Sequence, residues 1–403
     1  MTNDFFANID LSQKIASSYS LPNILIGAAN QLIQLNYSAE AQKYQPQVTV
    51  DLWESDSHPA INSNFIQVLL DEIIVGTVTN YLPFMWQQGG GNFPQAKIVK
   101  LSRGLEKVKV REFVDIAAMA INRETIFVGT EGKLVSLDRD LEILDEIDLK
   151  LPGVLGRGKK NTHDILVYGS VAYLLDNVVE PIYILRVDVS NPSHLQIIST
   201  FKIFGTNHHL KRQWLNPSLN QWYILQSYAT QAGSGEDIIT FSMNRSTGSG
   251  DFSDSQIPFP FKLNSMASES LAISDFNFGS SEFEGTKLIT VTSLPPNWAV
   301  IHERQEQLYL GLINTQNNHI VFDRQVHLGE LKICYQAEIM PMDKLLFIVL
   351  KGSKNNNIKN ISTRLLIIDI AQKPSIILNQ DLDELGLNSL SLSYYFCSAL
   401  TGD

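Results

Sequence analysis

The hydrophobic positions of this chain fall in short runs that are separated by polar turn residues. In residues 183–203 (YILRVDVSNPSHLQIISTFKI), apolar and β-branched residues alternate through 183–189, and the segment DVSNP follows at 188–192. Alternation with a period of two predicts a strand, while Asp, Asn and Pro favour a tight turn. This stretch therefore predicts two strands joined by a turn. A second copy lies at 365–378 (LLIIDIAQKPSIIL), and weaker copies recur along the chain.

The repeat predicts the architecture. Alignment on it gives seven equivalent apolar strands, which begin at Gln31, Lys97, Lys133, Tyr183, Ile238, Tyr309 and Leu365. Each has a similar strand on either side, the one after the fifth lying near 256–263, and six have a further strand upstream. Four antiparallel strands repeated seven times are typical of a β-propeller. We therefore predict an all-β protein with one propeller domain over 1–403 and seven four-stranded blades. Six or eight blades are the alternatives, because the sixth unit is the least regular.

The two ends of the chain predict how the ring closes. The first unit lacks an innermost strand, and residues 390–397 (LSLSYYFC) supply a spare one. Pairing of this C-terminal strand with the N-terminal strands would close the ring and remove exposed sheet edges. The alternative is a frayed C-terminal tail. Residues 1–20 are predicted to be an N-terminal extension.

The repeat also resembles a known family. YILRVDVSNPS at 183–193 is similar to the LVIVD repeat of bacterial and archaeal β-propellers, and LLIIDIAQKPS at 365–375 is similar with one extra residue before the Pro. The resemblance covers two blades, while the other five copies keep only the apolar strand. It implies a propeller fold and carries over no catalytic residues. The Trp-Asp strand ending of WD40 repeats is absent, so the likeness to WD40 proteins is architectural.

The net charge, the lengths of the apolar stretches and the cysteine count narrow the class of protein. The 403 residues carry a net charge of −11, whereas binding of phosphates needs a basic surface, so we expect no nucleic-acid partner. No stretch approaches the ~20 apolar residues of a membrane helix, and the first residues lack the pattern of a secretory signal. We therefore predict a cytoplasmic protein that has no membrane partner and is monomeric by default. The two cysteines, Cys334 and Cys397, favour reduced core thiols, with one bridge as the alternative.

Long loops are predicted to gather on one face. Connections between second and third strands share that face with the links between blades. The long second-to-third connections are predicted at 81–95, 229–236, 293–306 and 351–363, and the long links at 54–64, 150–163 and 204–213. Connections on the opposite face are mostly short, with a Gly/Ser-rich exception at 243–255. Function usually lies where long loops are held by a rigid scaffold.

Two sets of side chains on this face are candidate binding residues. The first set is basic and lies in two blade links: Arg157, Lys159 and Lys160, and then His208, His209, Lys211 and Arg212. Together they would form a positive patch for an anionic ligand or an acidic partner segment; alternatively they are two separately solvated loops. The second set lies in inserted loops: Phe84 and Trp86 in one, Trp298 and His302 in another. Exposed aromatic residues suit a protein contact, unless they fold back to seal the end of the propeller.

Motifs for common enzyme chemistry are absent. There is no GxSxG elbow, HExxH helix, Walker loop or EF-hand spacing. Most of the eight histidines fall in predicted loops or outer strands, so we predict no metal and no cofactor. The first functional hypothesis is therefore a scaffold that presents its loop-rich face to a protein partner. The alternative is an enzyme with an axial pocket that acts on an anionic small molecule, and whether the protein is an enzyme stays open.

Overall fold

A computed structural model gives the structure of this protein. It describes residues 21–53, 61–79, 96–114, 116–130, 132–149, 162–176, 182–203, 208–216, 221–230, 233–242, 271–272, 287–294, 297–304, 307–314, 321–330, 333–353, 361–387 and 396–401. Within these ranges the elements are strands and one 3₁₀ turn, Asp383–Leu385. No helix in them has the length and apolarity that crossing a membrane requires.

The described strands form seven four-stranded sheets, which we call blades one to seven. Blades one to three contain β1 (Asn23–Ala28), β2 (Gln31–Ser38), β3 (Lys43–Asp51); β4 (Ile61–Val68), β5 (Glu72–Thr79), β6 (Ala96–Ser102), β7 (Lys107–Phe113); β8 (Ala118–Asn122), β9 (Thr125–Thr130), β10 (Lys133–Leu137), β11 (Ile143–Asp148). Blades four and five contain β12 (Thr162–Tyr168), β13 (Val171–Asp176), β14 (Ile182–Asp188), β15 (Gln196–Ile203); β16 (His208–Asn216), β17 (Gln221–Thr230), β18 (Gly233–Ser242), β19 (Leu271–Ala272). Blades six and seven contain β20 (Lys287–Leu294), β21 (Asn297–Arg304), β22 (Gln307–Asn314), β23 (Val321–Glu330); β24 (Ile333–Met342), β25 (Leu345–Ser353), β26 (Ile361–Asp369), β27 (Ser375–Asp381). The last strand, β28 (Phe396–Thr401), is the first strand of blade one.

Each sheet is an antiparallel meander, and the first strands of the sheets meet around an axis. The first strand of each blade contacts the first strand of the next, in the order β28, β4, β8, β12, β16, β20 and β24, and β24 contacts β28. The prediction of an all-β propeller is confirmed.

Blade three shows why these sequences form these strands. Its second strand, β9 (TIFVGT), is buried at every position, whereas the outer strand β11 (ILDEID) alternates between half-buried and exposed positions. Middle strands lie between two neighbouring blades, so both of their faces are apolar, while outer strands face solvent. Gly132, with φ of 75°, lies in the tight turn that leads into β10.

The N- and C-terminal strands meet in blade one. β28 pairs with β1 in antiparallel register from Asn23↔Thr401 to Ala28↔Phe396. This strand runs on to Thr401, beyond the predicted end at Cys397, while residues 388–395 and the extension at 1–20 lie outside the described residues. Both cysteines are buried and reduced.

Two predicted loop insertions are wrong. In blade six, residues 297–304 form the second strand, β21, and the turn that follows it is 305–306. The strand that the sequence predicts immediately upstream of the sixth apolar run, at 286–293, corresponds to β20, which is the first strand of the blade. In blade five, β17 ends at Thr230 and β18 begins at Gly233, so the connection is two residues long. The polar residues of these strands gave them the appearance of loops, but their backbones pair with the neighbouring strands.

The predicted link at 204–213 is also too long. The chain is already the inner strand β16 from His208 onward, and it pairs with β17 through Asn216. The outer strand of blade five is Leu271–Ala272, paired with β18, and the predicted strand near 256–263 lies outside the described residues. Residues 243–270, between β18 and β19, lie outside the described residues. Because the connections after β17 and β21 are short, loop length is less one-sided than predicted.

Candidate functional site

The connection at 80–95 leaves β5 and returns to β6 in blade two. It carries the predicted binding residues Phe84 and Trp86, which lie outside the described residues. Four described side chains contact one another near the ends of β5 and β6 that the connection joins: Trp53, Thr77, Lys97 and Glu112. We call this set the blade-two base.

Trp53 joins blade one to blade two at this base. It follows β3, is 5% exposed, and donates from its indole Nε1 to the Thr77 hydroxyl at 2.8 Å. Thr77 is fully buried and donates in turn to the Lys97 carbonyl oxygen at 3.3 Å. The indole ring packs in an apolar cluster with Leu25, Ile73 and other residues of both blades. This arrangement fixes the two strand ends between which the connection runs.

Lys97 and Glu112 give the base a balanced charge. The Lys97 Nζ lies 4.4 Å from the centroid of the Trp53 ring and 3.1 Å from a Glu112 carboxylate oxygen. An ammonium over an indole face is a favourable cation–π contact. The Lys97 side chain is 23% exposed and that of Glu112 is 76% exposed, so both charges are open to a partner.

One of the two groups of basic candidates lies in a described strand. His208, His209, Lys211 and Arg212 lie at the start of β16, the inner strand of blade five. The ladder shifts register between Leu210 and Arg212, which places Lys211 in a bulge. Arg157, Lys159 and Lys160 belong to the link that enters β12 and lie outside the described residues. The described basic residues therefore stand at the entry into the inner strand of blade five.

The sixth-blade candidates occupy a strand, and the loop position predicted for them is wrong. His302 is 2% exposed and stacks on Tyr309, with ring centroids 5.4 Å apart and an angle of 16°. The ring centroids of Tyr309 and His327 are 5.3 Å apart, so the three rings form a row across β21, β22 and β23. Trp298 pairs with Ile313 of the neighbouring strand. His302 is therefore part of the interior of its blade.

The axis of the ring carries a polar group that the sequence did not reveal. β28 pairs with β1 along one edge, so its other edge faces the axis, where β24 of blade seven approaches it. The Gln336 amide donates to the Phe396 carbonyl oxygen at 2.6 Å and accepts from the Phe396 N–H at 3.0 Å. Glu338 accepts from the Ser398 N–H at 2.7 Å and from its hydroxyl at 2.5 Å. These polar side chains therefore bind the exposed backbone edge of the neighbouring strand.

Cys397 lies beside this group and has the character of a core thiol. It is 3% exposed, and its Sγ lies 3.9 Å from the Gly27 carbonyl oxygen. Burial raises the pKa of the thiol well above its ordinary value, and the Glu338 charge raises it further. The thiol is therefore protonated at neutral pH, which removes the thiolate that nucleophilic attack needs.

The residues that sequence reasoning missed have no local signal. Gln336 and Phe396 are 60 residues apart, and Trp53 and Thr77 are 24 apart. A lone Gln or Trp in a strand-rich sequence has no pattern that predicts its partner. An indirect signal existed only for Trp53, which ends a predicted outer strand just before a long link.

No protein-family model and no curated protein sequence matches the chain. Among solved structures, a protein from Lactobacillus plantarum aligns with a TM-score of 0.56, at 10% identity, over 89% of this chain and 95% of its own. The periplasmic gluconolactonase PpgL of Pseudomonas aeruginosa aligns with a TM-score of 0.50, at 9% identity, over 89% and 96%. The C-terminal WD40 domain of Sif2 aligns at 0.46, with 8% identity, over 88% and 81%. Identities this low show the propeller fold alone, so the LVIVD resemblance stays a prediction.

Proposed function

We propose that this propeller is a protein-interaction scaffold, and that its partner binds the connection at 80–95 together with the blade-two base. The observation that carries the proposal is the bonded chain from Trp53 through Thr77 to Lys97, which holds both ends of the connection on a rigid support. Loops held by a rigid scaffold lose less conformational entropy on binding.

The chemistry of this surface suits a protein partner. The connection contains Phe84, Met85 and Trp86 in sequence, and large aromatic residues supply most of the energy in protein interfaces. Lys97 and Glu112 lie at its base and would form a polar rim around such a centre. The basic residues of the link before β12 and of β16 are proposed to extend the same face.

The bonds at the axis favour the scaffold over the enzyme. An axial active site needs polar side chains that are available to a substrate. Gln336 and Glu338 instead bind the backbone of β28, and Cys397 holds its proton. Among the described residues, the other shifted pKa values belong to second, third and outer strands or to turns, away from the axis.

The test is a measured affinity for a purified partner. A protein that the chain captures from its own cell lysate is identified, purified and titrated against the wild type and a Phe84→Ser/Trp86→Ser variant. We expect the variant to bind at least tenfold more weakly, since each aromatic anchor contributes about 2 kcal/mol. The matched control is Leu70→Ser, because Leu70 is 90% exposed in the β4–β5 turn on the opposite face of the same blade. Equal affinity of the wild type and the double variant would contradict the proposal.

A further inference from the structure

The seam between blades seven and one is closed by two glutamine side chains that bind backbone. The inner one is Gln336 of β24, which bonds both the N–H and the carbonyl of Phe396 in β28. The outer one is Gln380 of β27, which donates to the Tyr44 carbonyl at 2.8 Å and accepts from the Tyr44 N–H at 2.8 Å. An apolar core with residues from both blades fills the space between them. We call these contacts the inner clasp and the outer clasp.

The two clasps are chemically alike but hold different parts of the chain. The outer clasp binds β3. A short turn at residues 39–42 connects β3 to β2, so β3 is tethered to its sheet by a hairpin. The inner clasp grips β28, whose nearest partner strand in the sheet is more than 360 residues away in sequence. Loss of the outer clasp leaves β3 in place through its hairpin. Loss of the inner clasp removes a restraint from β28, which is attached to blade one only by noncovalent contacts.

Glu338 strengthens the inner clasp one step further along the same edge. It accepts two hydrogen bonds from Ser398, one from the backbone and one from the hydroxyl. Phe396 and Ser398 present their N–H groups to the axial edge, because the alternate residues of β28 face β1. The inner edge of β28 is thus paired by side chains in place of a further strand, and hydrogen bonds to a carboxylate are the stronger kind.

We propose that Gln336 and Glu338 are a lock that keeps β28 in its own ring and prevents its exchange with a second copy of this chain. A second copy is the fitting occupant because it carries the same strand, with Phe396 and Ser398 at the same spacing. Two copies that exchange β28 satisfy every bond of both seams, so the exchanged dimer has the same contacts as two monomers. The hydrogen bonds from Gln336 and Glu338 to β28 then determine how often this strand leaves its own ring.

The experiment compares variants of the full chain that remove the two clasps separately. Gln336→Ala/Glu338→Ala weakens the inner clasp, and Gln380→Ala is the matched control at the outer clasp. Ser398→Ala removes a single hydroxyl bond and is a milder inner variant in case the double variant does not fold. Affinity-tagged and untagged copies of each variant are incubated together, and mixed dimers are measured by size and by co-elution on the tag. Hydrogen exchange is followed at residues 396–401.

We expect exchange at 396–401 to rise at least tenfold in Gln336→Ala/Glu338→Ala, which loses the side-chain hydrogen bonds to both Phe396 and Ser398, and by a smaller factor in Ser398→Ala, which loses one. Mixed dimers should form with the inner variants and not with Gln380→Ala. The proposal is overturned by inner variants that fold and stay monomeric, or by Gln380→Ala forming mixed dimers to the same extent. Faster exchange spread evenly over all blades would overturn it too, because it would show general destabilisation.

Discussion

Two junctions between blades bury different kinds of polar group, a neutral amide at one and a charged ammonium at the other. At the seam of blades seven and one, the neutral amide of Gln380 bonds both backbone groups of Tyr44. At the junction of blades two and three, the ammonium of Lys100 lies 3.1 Å from Glu72 and 3.2 Å from Asp140, and it donates to the Arg139 carbonyl at 2.8 Å. Lys100 is 8% exposed, so this contact buries a full charge.

The junction of blades two and three is a network of charges. Arg139 bonds Asp71, Glu72 and Glu124 from the turns of both blades. Burial alone would lower the pKa of Lys100, but hydrogen bonds to Glu72 and Asp140 outweigh it and hold the pKa above its ordinary value. The network lies at the turns, where Glu124 is 74% exposed and Asp140 is 77% exposed, so water lowers the cost of its charges.

The comparison shows where a neutral amide and where an ion pair can be accommodated between blades. The seam interior is apolar, and there a neutral amide satisfies backbone groups without a desolvated charge. The turns are partly solvated, and there ion pairs are tolerated but become sensitive to partners and salt. The predictions below test this difference, starting with the largest effect.

Removal of one buried charge should have the largest effect. Glu72→Gln leaves the Lys100 ammonium with a weaker partner at a site with little exposure. We expect a loss of ~3 kcal/mol in the free energy of unfolding, measured by urea titration. Glu124→Gln is the control, because this exposed carboxylate should cost less than ~1 kcal/mol. Similar costs for both variants would show that burial does not distinguish the two carboxylates.

Removal of the outer clasp should come next. Gln380→Ala leaves the buried N–H and carbonyl of Tyr44 without their amide partner. We expect a loss of ~2 kcal/mol in the free energy of unfolding, equal at low and high salt because no charge is involved. Gln31→Ala is the matched control, since its bond to Asp51 is exposed and should cost little. A cost that shrinks with added salt would contradict the neutral character of the clasp.

A buried ammonium at the seam should act in the opposite direction. Lys351 is 2% exposed, and burial lowers the pKa of its ammonium from 10.5 to about 8, with Asp383 partly opposing this. Since the folded pKa is the lower one, the unfolded state holds the proton more strongly, and wild-type stability falls as the pH drops from about 10 through about 8. Lys351→Met should remove this dependence and be about 2 kcal/mol more stable near neutral pH.

The measurement for Lys351→Met is the free energy of unfolding between about pH 7 and pH 9. The upper limit avoids the tyrosines, since burial raises the pKa of Tyr44 and its ionisation would add a second dependence at higher pH. Lys344→Met is a control for general loss of a positive charge. Parallel pH curves for the wild type and Lys351→Met would show that Lys351 does not carry the dependence.

An exposed ion pair should have the smallest effect. Lys109 lies 2.5 Å from Glu142 across blades two and three, with side chains 38% and 61% exposed. The Lys109 hydrogen bond lowers the pKa of Glu142, but solvent screens the pair. Lys109→Gln should lower the thermal midpoint by no more than about 2 °C, and the difference should vanish in about 1 M salt. A larger, salt-resistant change would mean that this pair behaves like the buried one at Lys100.

The propeller could be predicted from the sequence because each blade repeats a local pattern. The run at 125–130 (TIFVGT) is rich in apolar and β-branched residues, and the turn that follows contains Gly132, so both strand and turn are encoded within a dozen residues. The same reasoning failed at 297–304, where Asn, His, Glu and Arg suggested a loop. The structure buries His302 against Tyr309 of the next strand, and strand pairing of this kind depends on a neighbour that local periodicity does not show.

The candidate site was predicted in part. The sequence indicated the connection at 80–95 and its aromatic residues, while Trp53, Thr77 and Lys97 beneath it emerged only from the structure. Each of these side chains has an ordinary local setting, since Trp53 ends an outer strand and Thr77 and Lys97 lie within strands. What distinguishes them is that strands of blades one and two bring them within hydrogen-bonding distance.

By itself, the sequence determined the strand content, the repeated blade and the all-β propeller, because these follow from short-range alternation and turn chemistry. The tertiary structure alone decided which polar side chains join the blades. Gln380 and Tyr44 are 336 residues apart, Gln336 and Phe396 are 60 apart, and Lys100 and Asp140 are 40 apart. The physical reason is that a buried polar group is stabilised by whichever partner the closed ring places beside it, and ring closure joins segments that no local pattern connects.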